Sequence, residues 1–248
     1  MSDPALYGDS FADVYDQWYG DVSDIAATVE VMTELASGGS VLELGVGTGR
    51  LAIPLAMTGI SVTGIDSSLP MLERLKANDP GALVTAIEAN MAELQVEVQF
   101  TAAFVAYNTI FNLTTAEEQQ ACFTAVAAAL VPGGYFAVEA FVPDLSASVP
   151  DRAVTPTSLM GDSAVLTATI RDREAQVVTG QHIELRPDGT IRLRPWKIRY
   201  ASTSELDAMA ARAGFSVINR WNDWSRAPFA DESLRHVTIY GLNRSDDQ

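Results

Sequence analysis

The chain has 248 residues, 48% of them hydrophobic, a formal net charge of −16 and one cysteine, Cys122. That is enough apolar material for one sizeable core, as a single domain or as a domain with a subdomain inserted. A lone cysteine excludes a disulfide framework and fits a reducing, cytoplasmic setting. The charge is lopsided: residues 1–150 carry three basic side chains (Arg50, Arg74, Lys76) against nineteen acidic ones, whereas residues 151–248 carry thirteen of each. Such a surface repels a phosphate backbone and argues against nucleic acid as a partner. The opening MSDPALYGDS lacks the pattern of a signal peptide, and no run of about 18 apolar residues is present, so no membrane span is expected.

In chain order, residues 11–36 read as a helix with aromatics near its start. SVLELGV reads as a buried strand and TGRLAIPLAMTG as a helix ended by Gly59. SVTGID is a second strand, and SLPMLERLKAN a second helix with Pro70 in its first turn. LVTAIEANM gives a third strand and loop. A fourth strand runs to about Tyr107, and TAEEQQACFTAVAAALVPGG is a helix stopped by Pro132 and two glycines. YFAVEAF is a fifth strand. Alternating strands and helices imply a parallel sheet covered on both faces, with ligands beyond the carboxyl ends of its strands. After Pro143 the pattern alternates apolar and polar residues, which predicts three or four antiparallel strands with Asp188-Gly189 in a hairpin loop. TSELDAMAARAGF is a helix with Ser or Thr at its cap and Gly214 at its end. SVINRWNDW and HVTIYGLNR read as strands completing the main sheet.

The chemistry concentrates in ELGVGTG. Glycines at 45, 47 and 49 remove Cβ atoms where a ligand lies against the backbone, and the following helix points free N–H groups at it. The spacing differs from the dinucleotide pattern G-x-G-x-x-G. Glu43 near the strand end suits a cationic ligand and disfavours a diphosphate. Asp66 ends the second strand, where a carboxylate accepts both hydroxyls of a ribose; taken alone, it serves equally as a helix cap.

VLELGVGTGRLAIPLA followed by VTGIDSSLPMLERLK resembles the class I methyltransferases that use S-adenosylmethionine, and LVPGGYFAVEAF matches that family's Pro-Gly-Gly turn before strand five. The likeness covers about residues 35–142. It implies a doubly wound, Rossmann-like α/β sheet, here with an inserted antiparallel β subdomain. The corresponding divisions are a helical lid over 1–34, a cofactor core over 35–143, the insertion over 144–201 and a closing helix and strands over 202–248. By this resemblance Gly45, Val46, Gly47 and Gly49 lie under the methionine and ribose parts of the cofactor, with Glu43 close by. Asp66 binds the ribose, Ser67 and Met71 surround the adenine, and Asn90, Met91 and Ala92 occupy the loop that often carries an Asp toward the adenine amine. Tyr107, Asn108 and Tyr19 approach the methionine part.

For the acceptor, LYGDSFADVYDQWYGD is either a helix face packed on the core or a lid with tyrosine hydroxyls near the transferring methyl. It resembles the start of a small-molecule subgroup that includes N,N-dimethyltransferases acting on nucleotide-linked amino sugars. On that likeness Tyr7 and Phe11 face the acceptor. Some of those enzymes carry a His after strand four; here Asn112 stands at that place, able to orient an amine or hydroxyl but not to take a proton. Tyr15, Tyr19 and Glu139 are the candidate proton acceptors. Arg192, Arg194 and Trp196 share one side of a strand. They fit a diphosphate and a stacked ring, or else a solvated face. Trp221 and Trp224 form a candidate substrate rim. His182 reads as exposed, and His236 as a hydrogen-bonded core or strand-end residue. No histidine–carboxylate cluster has metal spacing, so no metal is expected. The reading is a methyltransferase of a small molecule, N-methylating a nucleotide-linked deoxyamino sugar. O- or C-methylation of a natural product or metabolite is the alternative, and a cofactor-binding protein without catalysis is the rival outside enzymology. A homodimer through the inserted sheet is also expected.

Overall fold

The computed structural model describes residues 3–244 except 21, 23, 97 and 147. Seven strands form the main sheet: β1 (Val41–Leu44), β2 (Val62–Asp66), β3 (Val84–Glu88), β4 (Phe100–Val105), β5 (Leu130–Phe141), β10 (Phe215–Trp221) and β11 (Arg235–Leu242). Their order is β10-β11-β5-β4-β1-β2-β3. β1 to β5 are mutually parallel, β11 runs antiparallel to β5, and β10 antiparallel to β11. β1 lies between β2 and β4, so the winding reverses there and opens a crevice at the carboxyl ends of β1 and β4.

The strand period of two explains the two cores. Leu42, Ala103, Val105, Phe136 and Val138 face one way, toward α6 (Ala116–Ala129) and α7 (Thr203–Arg212). Val41, Ala102, Phe104 and Ala137 face the other, toward α3 (Ile25–Ala36), α4 (Ala52–Ala56) and α5 (Leu69–Asn78). Being covered on both sides, the central strands read as continuous apolar runs. Side chains fix where these helices begin: Ser68 caps α5, and capping boxes start α6 (Thr115 with Glu118) and α7 (Ser202 with Glu205).

Two predicted helices differ from what forms. The segment read as one helix over 11–36 is three: α1 (Leu6–Phe11), α2 (Tyr15–Tyr19) and α3. The break before α3 has a local cause, because Asp24 is extended and its carboxylate caps Ala27 N–H at 3.0 Å. The helix expected to stop at Pro132 ends at Ala129; Leu130 is already extended and pairs with Phe100, and the ladder resumes at Tyr135.

A second sheet, order β6-β7-β8-β9, is built from β6 (Arg152–Met160), β7 (Ser163–Asp172), β8 (Val177–Leu185) and β9 (Ile191–Arg199), all antiparallel. Its inner face holds Val165, His182, Arg194 and Trp196 and meets α1 and α2. Its outer face carries Val154, Ile170, Ile191 and Leu193, all exposed. Among the described residues no helix is long and apolar enough to cross a membrane.

Candidate active site

The crevice at β1 and β4 is a cavity that gathers most of the predicted cofactor residues: Gly45, Gly47, Asp66, Ser67, Met71, Asn90 and Met91, together with Tyr7, Tyr15 and Asn112. Pro4, Gly8, Ile65, Ala89, Thr109 and Leu113 complete its wall. Gly45 and Gly47 both have positive φ, at 68° and 54°. A Cβ at Gly45 would collide with the Thr109 methyl group. Gly49 does a different job from the one expected. A Cβ there would press on Ile53 and Leu75, so it permits packing of the βα turn against α5 and does not face the cavity. Val46 is buried, and its N–H donates to Ile65 O at 2.9 Å, tying the glycine loop to β2.

Asp66 braces both loops at the crevice: Oδ2 accepts from Gly47 N–H and Oδ1 from Ser68 N–H, each at 2.9 Å. Burial raises its pKa. Asn90 Oδ1 accepts from Ala92 N–H at 3.0 Å, so this side chain closes its own loop and Ala92 serves that turn.

A smaller extension of the crevice is lined by Tyr15, Glu43, Gly45, Val46, Arg50, Tyr107 and Thr109. Here Glu43 Oε2 and the Nε and Nη1 of Arg50 are buried without a hydrogen-bond partner. A buried polar atom left unpaired costs about 1–3 kcal/mol, more when charged, so these groups mark where a ligand's own polar atoms belong. Burial holds the Glu43 carboxyl well above the usual range, with nearby Arg50 opposing the shift. The pair fits the carboxylate and ammonium of an amino-acid tail. The cradle without Cβ atoms fits the body of a nucleoside, and Asp66 its ribose. Arg50 was not singled out in the sequence as a ligand residue, although its place directly after GTG was the available signal.

Beyond β4, Tyr107 and Asn108 are both left-handed, with φ of 49° and 66°. Glu139 Oε2 accepts from Tyr107 N–H at 2.9 Å, and Asn108 Oδ1 from Phe141 N–H at 2.6 Å. Glu139 is thus a brace for a strained turn, which corrects its reading as a proton acceptor. Two such residues cost about 1–3 kcal/mol each, and these bonds hold them in place.

The N-terminal helices close directly on this site. Thr48 Oγ1 donates to Asp16 at 2.6 Å, Ser68 Oγ to Asp9 at 2.7 Å, and Ser67 Oγ to Pro4 O at 2.8 Å. Gly8 is pressed so closely on Ser68 that a Cβ would clash. Tyr15 and Tyr19 have ring centroids 5.0 Å apart, Tyr19 and Tyr107 5.9 Å, and Tyr7 stacks on buried Phe11 at 4.6 Å. Burial raises the pKa of Tyr7, Tyr15, Tyr19 and Tyr107, that of Tyr15 to about 12. All four phenols therefore keep their protons at neutral pH. Phe11 is fully buried and fills the lid's own core, so it does not face an acceptor.

The arginine reading needs correction. Arg194 is fully buried and saturated: it donates to both Asp13 oxygens at 2.5 and 3.0 Å, to Ser10 O at 2.7 Å and to Glu184 Oε2 at 3.0 Å, and its guanidinium lies 5.3 Å from the Trp18 ring centroid. Arg192 also meets Asp13, at 3.1 Å. These side chains fasten the lid to the inserted sheet, and Arg194 has no donor to offer a diphosphate. Trp196 lies under Gly180, where a Cβ would strike its ring, and its Nε1–H donates to His182 Nδ1 at 2.9 Å. Trp224 is buried edge-on to Phe104, with Trp221 packed against the same cluster and Arg226 over the Trp221 ring. Both are core and surface packing, not a substrate rim. His236 is buried against Thr238, as expected, whereas His182 is half-buried among Phe11, Trp18 and Trp196 and not exposed. Among the described residues no group of three or more histidine, cysteine or acidic side chains is placed to hold a metal ion.

A doubly wound sheet with a glycine-walled crevice at its switch point, extended by unpaired groups of both charges, has the chemistry to hold a zwitterionic nucleoside. The family described as "Methyltransferase domain" matches residues 41–134. The structure of the CcbJ methyltransferase from Streptomyces caelestis is 37% identical, with a TM-score of 0.91 over 98% of this chain and 100% of that one. The cypemycin N-terminal methyltransferase of a Streptomyces species is 26% identical over 242 residues, 96% of this chain and 98% of that protein. S-adenosylmethionine-bound CalS10, an amino pentose methyltransferase from Micromonospora echinaspora, shares the fold at 18% identity, with a TM-score of 0.70 over 93% and 97% of the two chains. The chain belongs to the S-adenosylmethionine-dependent small-molecule methyltransferases.

Proposed function

We propose that this enzyme N-methylates the amine of a small-molecule acceptor, with amino sugars and free α-amines as the leading acceptor types. The observation that carries this reading is the acid–base character of the site. Methyl transfer from a sulfonium is an in-line displacement on an already activated donor, so alignment and exclusion of water supply most of the catalysis. A neutral amine attacks without a base, whereas a hydroxyl needs one. Apart from carboxylates already engaged, Asp66 with the Gly47 and Ser68 amides, Glu43 beside Arg50 and Glu139 with the Tyr107 amide, the residues beside the cofactor crevice are four half-buried tyrosines held protonated and Asn112, none of which serves as a base at neutral pH. The tyrosine oxygens and the Asn112 amide orient the amine lone pair. After transfer the surplus proton leaves to solvent.

S-adenosylmethionine supplies the electrophilic methyl group when bound. Arg50 and Glu43 would grip its amino-acid end, Asp66 its ribose hydroxyls, and Met71, Asn90 and Met91 would border its base. The lid helices cover this pocket and shield it from water. Kinship with an amino pentose methyltransferase and with an N-terminal methyltransferase supports nitrogen as the atom modified. A nucleotide carrier for the sugar is left without its expected ligand, because Arg194 is consumed by Asp13 and Glu184.

The test is a mass-spectrometric screen of purified protein and S-adenosylmethionine against paired acceptors: amino sugars, α-amino amides and their hydroxyl counterparts. Methyl mass gains on the amines alone are expected; gains on the hydroxyl compounds would overturn the reading.

We further infer that two copies pair through the outer face of the inserted sheet. Val154, Ile170, Ile191 and Leu193 there are each more than half exposed. This face lies in the charge-balanced part of a strongly acidic chain, where a second copy meets the least repulsion. Four strands of nine or ten residues span roughly 19 by 30 Å, so two such faces bury on the order of 1,000 Å², at the threshold of a specific interface.

A further inference from the structure

A second cleft, of about 280 Å³, lies between α2 and the inserted sheet. Its walls include Trp18, Tyr19, Thr157, Met160, Val165 and His182. A cavity of about 150 Å³ suffices for a benzene ring, so this one admits a ring with substituents. No aspartate, glutamate, lysine or arginine lines it, in a chain of net charge −16. Tyr19 belongs both to this wall and to the tyrosine cluster, 5.0 Å from Tyr15, which itself lines the cofactor cavity. The Tyr15–Tyr19 pair thus stands between the cleft and the cofactor cavity, one ring lining each.

One polar group in the wall is set up in a specific way. His182 Nδ1 accepts from Trp196 Nε1–H at 2.9 Å, which leaves the ring proton on Nε2. Burial and the nearby Arg194 lower its pKa, so the ring is neutral. Aromatic contacts with Phe11 (5.2 Å) and Trp18 (5.9 Å) fix its plane. Beside the Gln17 carboxamide and the hydroxyls of Tyr19, Thr157 and Ser158, the wall therefore offers one N–H donor whose ring is held in place by its neighbours.

We propose that this cleft receives the uncharged, ring-bearing body of the amine acceptor, with His182 Nε2–H donating to an oxygen on that body. The inference rests on the N-methylation reading for the position of the reacting amine. It goes beyond that reading in assigning the acceptor's body, its neutrality and the residue that selects it. An acceptor carrying a phosphate or diphosphate on the ring side loses solvation here and gains no cation in return.

The test uses protein loaded with S-adenosylhomocysteine and two probes, L-tyrosinamide and O-phospho-L-tyrosinamide, titrated by ligand-observed NMR. L-Tyrosinamide is expected to bind, and the phosphorylated probe about tenfold more weakly or not at all. Thr157→Trp, at an exposed position that fills the cleft without burdening the core, should weaken L-tyrosinamide by about tenfold. His182→Phe, which keeps the ring packing, should weaken it about fivefold, the loss of one hydrogen bond. Affinity for S-adenosylhomocysteine should be unchanged in both variants. Failure of L-tyrosinamide to bind, binding unaffected by Thr157→Trp, or tighter binding of the phosphorylated probe would each overturn the proposal. The two readings fail separately: amine methylation that persists in Thr157→Trp at the wild-type KM sinks the cleft and spares N-methylation. Probe binding in the cleft without methylation of any amine does the reverse.

Discussion

Two arginines deep in this molecule have opposite surroundings. Arg194, between lid and inserted sheet, is fully buried with its donors directed at Asp13, Glu184 and Ser10 O. Arg50, beside the glycine loop, keeps buried Nε and Nη1 atoms unpaired, as does Glu43 its Oε2. A saturated buried charge is structure; an unsaturated one is a ligand site, because the fold tolerates the cost only where a ligand repays it. On this contrast Arg194 is a fastener, against the diphosphate role its strand suggested, and Arg50 is the residue proposed to hold the cofactor.

The contrast can be broken from either side. The largest expected effect is on stability: Arg194→Met should strip Ser10 O of its donor, leave Asp13 only Arg192 and Glu184 only Arg186, and cost about 2–4 kcal/mol, somewhat less than a fully enclosed pair because both acids reach solvent and keep a second partner. A shift in denaturation midpoint measures it, and an unchanged midpoint would refute the fastener role. Arg50→Met should instead spare stability and weaken S-adenosylmethionine by about 2 kcal/mol, or roughly 30-fold, through lost charge-assisted bonds. Asp66→Ala should weaken the cofactor by about tenfold, roughly 1.4 kcal/mol; calorimetry reads both.

The pH dependence follows from Glu43. Its carboxyl in the free protein titrates well above the usual range because it is buried, and it must ionise to accept the cofactor's ammonium. Cofactor affinity should therefore fall as pH drops through that raised pKa, and Glu43→Gln should flatten the profile. Asp13 works in the opposite sense: its bond to Arg194 lowers its pKa. Its contribution is fully present above the unfolded value of about 3.9 and is lost only as pH falls through the lower folded value. The lid fastening thus survives at acidities where Glu43 is already protonated. The smallest effect concerns the outer sheet face. Ile170→Lys with Leu193→Lys should convert a dimer to a monomer by light scattering while leaving cofactor affinity alone; a wild-type monomer would end the dimer reading.

The cofactor half was largely legible in the sequence because its signals are local. Glycine spacing, an acid closing β2 and apolar strand runs all fall within one stretch of chain. The acceptor half was not, for identifiable reasons. Arg194 meets Asp13 across 181 positions, a pairing no local pattern reveals. Trp224 looked like a rim residue because nothing in NDWSRAPF shows that it turns inward onto Phe104. The insertion read as three or four strands, and the fourth, β6, carries Pro156 in its interior, which an edge strand tolerates at a bulge. Gly49 read as a cofactor contact although helix packing is what forbids its side chain.

Everything proposed for the cofactor turns on the grip of the unpaired Glu43–Arg50 site on its amino-acid end. Calorimetric titration of wild type and Arg50→Met with S-adenosylhomocysteine and with 5′-methylthioadenosine, which lacks that end, tests it most directly. Wild type should prefer S-adenosylhomocysteine, and Arg50→Met should lose most of that preference while binding 5′-methylthioadenosine as wild type does. Equal weakening of both ligands, or of neither, would contradict the claim.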